Sequence, residues 1–161
     1  NSLAMSITGA NRLKFNETVA AGHYQCAPET SERTVRFFDF ADLIGLTVFA
    51  RMMKLGISKR VAADMACRTV GYVRNNGQDL QRVILALADD GSVWGGPYYG
   101  EGKDNGRPYI APNSPYAAAS IQVNIPHIKK FIIARCQSLI TQHGAENANI
   151  RAMFPECWEK K

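Results

Sequence analysis

Arg36-Phe-Phe-Asp-Phe-Ala-Asp-Leu43, with Leu55-Gly-Ile-Ser58 following it, is the stretch that decides the fold. Its approach, Thr34-Val-Arg-Phe-Phe38, is rich in β-branched and aromatic residues and predicts a short strand. Asp39 is a good N-cap, and Asp42 falls in the first turn, where a carboxylate interacts favourably with the helix dipole. Leu43, Leu46, Val48, Phe49, Met52 and Met53 then recur near helical spacing up to Gly56, which predicts a largely buried helix over 40–55. Ser58 caps a second helix carrying Val61, Ala62, Met65, Ala66 and Val70. The pair reads as a tight helical hairpin.

Working upstream, Thr8-Gly9 marks a turn, and Asn11 to Ala21 predicts a helix stopped by Gly22. Leu13, Phe15, Val19 and Ala20 supply its apolar contacts, while Asn11, Arg12, Lys14 and Asn16 form its other face. Tyr24 to Pro28 leaves in an extended form, because proline biases the residue before it away from helix. A charged tip, Glu29 to Arg33, joins it to the 34–38 strand as a two-stranded wing.

In this order, Leu3-Ala-Met-Ser-Ile-Thr-Gly9, a basic helix, Arg36-Phe-Phe38, Asp39-Phe-Ala-Asp-Leu43 and Leu55-Gly-Ile-Ser58 resemble the MerR-type winged-helix DNA-binding domain over about residues 3–70. The resemblance implies that the helix near residues 11–21 lies in the major groove, with Asn11, Arg12 and Lys14 near its N-terminus reaching base edges. It also implies phosphate contacts from Arg33 and Arg36 on the wing, and a hydroxyl contact from Tyr24. Met5 is a candidate natural start, which would shorten the first helix of the motif. The long dimerising helix that usually follows in that family has no counterpart here, since the chain turns polar at Arg74.

Downstream, residues 74–81 read as a linker. Arg82 to Ala88, Asp89-Asp-Gly91 and Ser92-Val-Trp94 give a β-hairpin, because Asp-Gly supplies the positive φ of its turn. Gly95 to Ala118, dense in glycine and proline, predicts no regular element. Ser120 to Ile125 reads as a strand, and a helix runs from Pro126 to about Gln142. Adjacent Ile132 and Ile133 make that helix apolar on more than one side, which makes a partner subunit a candidate. The expected fold is therefore α+β: a winged helix-turn-helix over 1–73, then a small α+β part over 82–161 for dimerisation or ligand sensing.

The 161 residues carry a net charge of +5. Residues 1–82 hold eleven Lys and Arg against seven Asp and Glu, whereas 83–161 hold eight against seven, so most of the surplus lies beside the wing. Basic groups on one surface suit a phosphate backbone. A solvated basic face is the plainer alternative. No apolar run approaches the ~20 residues of a membrane span, and Asn1 to Ser6 lacks a secretory pattern, so the expected compartment is cytoplasmic.

Cys26, Cys67, Cys136 and Cys157 have long unequal spacings that fit neither a disulfide framework nor a zinc module, and they read as four thiols. Gly100 to Gly106 lacks the Gly-Lys-Ser/Thr of a phosphate loop. No nucleophile, base and orienter occur together, so neither an enzyme nor a cofactor is expected. Trp94, Tyr98, Tyr99 and Tyr109 could line a small-molecule pocket, or simply cover the hairpin. The expected function is a homodimeric transcriptional regulator that binds double-stranded DNA and responds to a small-molecule effector. An architectural factor that bends DNA in recombination is the alternative within DNA binding. A ligand-binding or protein-interaction module without DNA contact is the alternative of a different class.

Overall fold

The computed structural model describes residues 2–30, 36–88, 90–98 and 117–143. Over these the chain is α+β, in the order α1 (Ser2–Thr8), α2 (Arg12–Ala20), α3 (Phe40–Lys54), α4 (Lys59–Asn76), β1 (Arg82–Ala88), β2 (Val93–Tyr98), β3 (Ala117–Asn124) and α5 (Ile125–His143). A single 3-10 turn, Gly77–Asp79, joins α4 to β1.

The α3–α4 hairpin forms the centre. Asp39 accepts the Asp42 N–H at 2.7 Å, and Asp42 accepts the Asp39 N–H at 3.0 Å, a reciprocal cap that satisfies two otherwise orphaned donors. From Asp42 to Ala50 every residue of α3 is buried, so this helix has no solvated face there and sits in the core. Gly45 lets α4 come close: a Cβ at that position would lie 2.3 Å from Val70 Cγ2. On α4, the Ser58 hydroxyl accepts the Val61 N–H, as its position before the helix predicts.

Arg74 bridges the cap, donating at 2.8 Å to both Asp39 Oδ2 and Asp42 Oδ1. Burial pushes the Asp42 carboxyl up to about 6, with the neighbouring Asp39 charge adding to it and Arg74 opposing it. Asp39 is held below the usual range: burial works against this, but the Asp42 N–H and the Arg74 guanidinium outweigh it. A carboxyl raised by folding stabilises through its protonated form, so the Asp42 contribution is complete below its unfolded value of 3.8 and is lost as pH rises through about 6. The Asp39 contribution is present above 3.8 and is lost only as pH falls through its lowered value. Unfolding should therefore need more urea near pH 5 than near pH 7, and Asp42→Asn should flatten that difference. The same pH difference in both proteins would contradict this account.

The sheet has the order β2-β1-β3 with both pairings antiparallel, Leu85 standing opposite Gly95 on one side and Ile121 on the other. The central strand buries Val83, Ile84, Leu85 and Ala86, and of these Val83 and Leu85 join the apolar core shared with the helices. Gly91 has φ 78°, the positive value that the hairpin turn demands. Contrary to the expected loop over 95–118, Gly95, Gly96 and Pro97 belong to β2, and β3 begins at Ala117. An edge strand tolerates proline, since its outward N–H has no partner to lose. Residues 99–116 lie outside the described residues.

The stretch read as a linker, 74–81, is the last turn of α4, the 3-10 turn and the entry to β1. Leu80 within it is fully buried, Tyr72 Oη donates to the Gly95 carbonyl at 2.6 Å, and one apolar core runs from Ala4 to Ile140. The parts expected over 1–73 and 82–161 thus share their interior. α5 buries Ile125, Ile128, Ile132, Cys136 and Ile140 and meets α1, α3 and β1. Arg135 donates to the Ser6 carbonyl at 3.0 Å, and the Arg51 guanidinium lies 5.2 Å from the Phe131 ring centroid. The second apolar side of α5, which suggested a partner subunit, is used inside the chain.

Two of the four cysteines expected as thiols are oxidised. Cys26 and Cys67 form a disulfide, with Cα atoms 5.3 Å apart across a separation of 41 residues. Spacing could not reveal it, because the pairing depends on the exit of α2 packing against α4. Cys136 is buried in α5, and Cys157 lies outside the described residues. No helix among the described residues is long and apolar enough to cross a membrane.

Candidate nucleic-acid interface

α1 and α2 are joined by a turn at Gly9, φ 72°, whose N–H bonds the Met5 carbonyl at 2.8 Å. That positive φ suits glycine, which lacks the Cβ that makes the conformation costly. Thr8 Oγ1 donates to the Ala4 carbonyl, and Asn11 caps α2 by accepting the Lys14 N–H at 3.0 Å. The sequence reading placed Asn11 among the base readers; its carbonyl oxygen is here engaged by the helix it starts.

α2 is anchored by Phe15, which is completely buried against Tyr24, Phe38 and Phe49. Thr18 is buried beside it and donates to the Lys14 carbonyl. Everything else on the helix except Val19 is exposed: Arg12, Leu13, Lys14, Asn16, Glu17 and Ala20. Leu13, expected in the core, is 67% exposed, and Ala20 is exposed as well. A nine-residue helix anchored by one aromatic ring needs only a narrow inner face, which Phe15 and Thr18 supply.

Tyr24 is also corrected. It is 4% exposed, with its ring edge-on to Phe15 at 5.1 Å and to Phe49 at 5.5 Å, so its hydroxyl is not available to a phosphate. Burial, with the Asp42 charge adding to it, raises its phenol well above the ordinary value. Of the expected wing, the described residues show an isolated antiparallel bridge between Thr30 and Arg36. Arg36 is half-buried and donates to the Pro28 carbonyl, which ties the residues around 28–30 to Arg36 and leaves further guanidinium donors. Arg33 lies outside the described residues.

Two further cations that the sequence did not single out, Lys54 and Lys59, lie beside α2. The Lys54 ammonium lies over the Gly9 turn, 3.9 Å from where a side chain on that glycine would begin. Lys59, at the start of α4, pairs with Glu17 of α2, offsetting the negative charge on that face. Arg60 follows, exposed, and reaches toward Gly91. The sequence signal was available: Lys54, Lys59 and Arg60 bracket the Leu55-Gly-Ile-Ser58 link.

The aromatic pocket is not assembled among the described residues. Trp94 is exposed, its indole N–H donating to Ser92 Oγ at 2.7 Å; Tyr98 ends β2, and Tyr99 and Tyr109 lie outside the described residues. Clefts of about 500 and 690 Å³ flank the disulfide, one touching Cys67 and the other Cys26, and neither is lined by Trp94. Among the described residues no group of three or more His, Cys, Asp or Glu is placed to hold a metal ion. In comparisons with known proteins, no family model matches the chain, and no curated protein or solved structure matches it significantly.

Proposed function

We propose that the protein is a DNA-binding transcriptional regulator that uses α2 as a recognition helix in a MerR-like winged helix-turn-helix. The observation that carries this reading is the division of α2 into a minimal anchored side, Phe15 and Thr18, and a broad exposed side with Arg12 and Lys14, with Lys54 over the turn before it and Lys59 against Glu17. A helix of that kind fits the major groove of B-DNA, about 12 Å wide, with Arg12 and Lys14 to either side of its exposed ridge and toward the phosphate walls. The polar and charged side chains are already solvated, so placing them at phosphates costs little, and the gain comes from counterion release.

The test is capture of genomic fragments on the full chain, followed by sequencing and by titration of an enriched fragment at several salt concentrations. Arg12→Ala and Lys14→Ala should each weaken binding and flatten the salt slope by about one unit. Both residues are exposed, so neither change should alter stability by more than about 0.5 kcal/mol. Slopes and affinities equal to those of the unaltered protein would remove α2 from the interface. Enrichment of no fragment at all would remove the DNA-binding function.

A further inference from the structure

We infer that the cleft over Cys67 is a docking site for a small thiol carrying carboxylates, and that such a thiol opens the Cys26–Cys67 disulfide by exchange at Cys67. This does not depend on DNA binding. Both cysteines are half-buried, and each has its own cleft: the one of about 500 Å³ touches Cys67 without Cys26, and the one of about 690 Å³ touches Cys26 without Cys67. Thiol–disulfide exchange begins with a thiolate reaching one sulfur, and access helps decide which one. The two clefts present the two ends of the bond to different attackers.

Charge separates them. Around Cys67 the lining sets Arg60 and Arg68 against Asp64, whereas around Cys26 it sets Glu29, Asp39 and Asp42 against Arg74. Arg74 is already engaged by Asp39 and Asp42. Asp64 is likewise held by Arg68 Nε at 2.9 Å, which leaves the terminal guanidinium nitrogens of Arg68 as donors. Asp90, near Arg60, turns its carboxylate to Ser92 and accepts its N–H at 2.8 Å. An anionic thiol is therefore drawn to Cys67 and kept from Cys26.

The spacing on α4 suits such a molecule. Arg60, Asp64 and Arg68 follow at four-residue intervals along one face, with Cys67 beside Arg68. Arg60 stands seven residues before Cys67, about 10 Å along the helix axis, and an extended tripeptide is about 10 Å long. A tripeptide thiol can thus set its sulfur at Cys67 with one carboxylate toward Arg68 and another toward Arg60. In the first step its thiolate bonds Cys67 Sγ, the Cys26–Cys67 bond breaks, and the electron pair leaves on Cys26 Sγ, which takes a proton from water. A second thiol of the same class then attacks the small molecule's sulfur and frees Cys67 as a thiol. Two small thiols are oxidised to one disulfide, and the protein disulfide is reduced.

The experiment exposes the full oxidised chain to reduced glutathione, to neutral mercaptoethanol and to cationic cysteamine, quenches with iodoacetamide, and maps the products by mass spectrometry. At early times glutathione should be found on Cys67 and the alkyl group on Cys26. Both arginines are exposed, so the Arg60→Gln, Arg68→Gln protein should keep its fold and its mercaptoethanol rate. Its ratio of glutathione rate to mercaptoethanol rate should fall about tenfold, as two fixed charges cease to steer an anion. Cysteamine should lose no rate. Glutathione on Cys26, the same rate ratio in both proteins, or a disulfide that none of the three thiols opens would overturn the inference, and none of these outcomes bears on DNA binding.

Discussion

Phe15→Ala is expected to lower unfolding free energy by about 3 to 5 kcal/mol and to abolish the proposed DNA binding with it. The ring is fully buried, with centroids 5.1 Å from Tyr24, 5.9 Å from Phe38 and 6.4 Å from Phe49, so its removal leaves a cavity bounded by three aromatic rings. A helix of nine residues has little stability of its own, because nucleation is costly and propagation is short. Phe15 thus ties α2 both to the core of the hairpin and to the root of the wing. Urea unfolding and titration of an enriched duplex should fail together in this variant, whereas Leu13→Ala, two residues away, should keep its stability. A Phe15→Ala protein within about 1 kcal/mol of the original would show that α2 is held by something else.

The second large effect is expected on reduction of the Cys26–Cys67 bond. It spans 41 residues, and in the chain-entropy account a loop of that size removes about 4 kcal/mol of freedom from the unfolded chain. Reduced protein and Cys26→Ser should unfold at similar, lower urea concentrations than oxidised protein. Coincident curves for oxidised and reduced protein would contradict it. In a cytosol that keeps thiols reduced, the operative stability would be that of the dithiol form.

Much of the backbone could be read from local chemistry. Asp39 and Asp42 announced the start of α3, Ser58 that of α4, and Gly91 the hairpin turn, because capping and positive-φ turns depend on residues a few positions apart. The errors share a different cause. Leu13 was assigned inward by its hydrophobicity, although only the position of Phe15 fixes which way so short a helix faces. Tyr24 lies between regular elements, where no periodicity distinguishes a core residue from a surface one. The disulfide, the burial of Leu80 and the packing of α5 all join segments far apart in sequence, and local pattern is blind to such contacts. At the candidate interface Arg12 and Lys14 were legible, but which side of α2 is exposed required the orientation of the helix.

The contact between α5 and α1 also bears on how the chain emerges from the ribosome. Arg135 reaches the Ser6 carbonyl across 129 positions, so the side of the first helix that meets α5 stays uncovered until nearly the whole described chain has been synthesised. At roughly 5 to 20 residues per second, that leaves an interval on the order of ten seconds in which α1 exists without its final support.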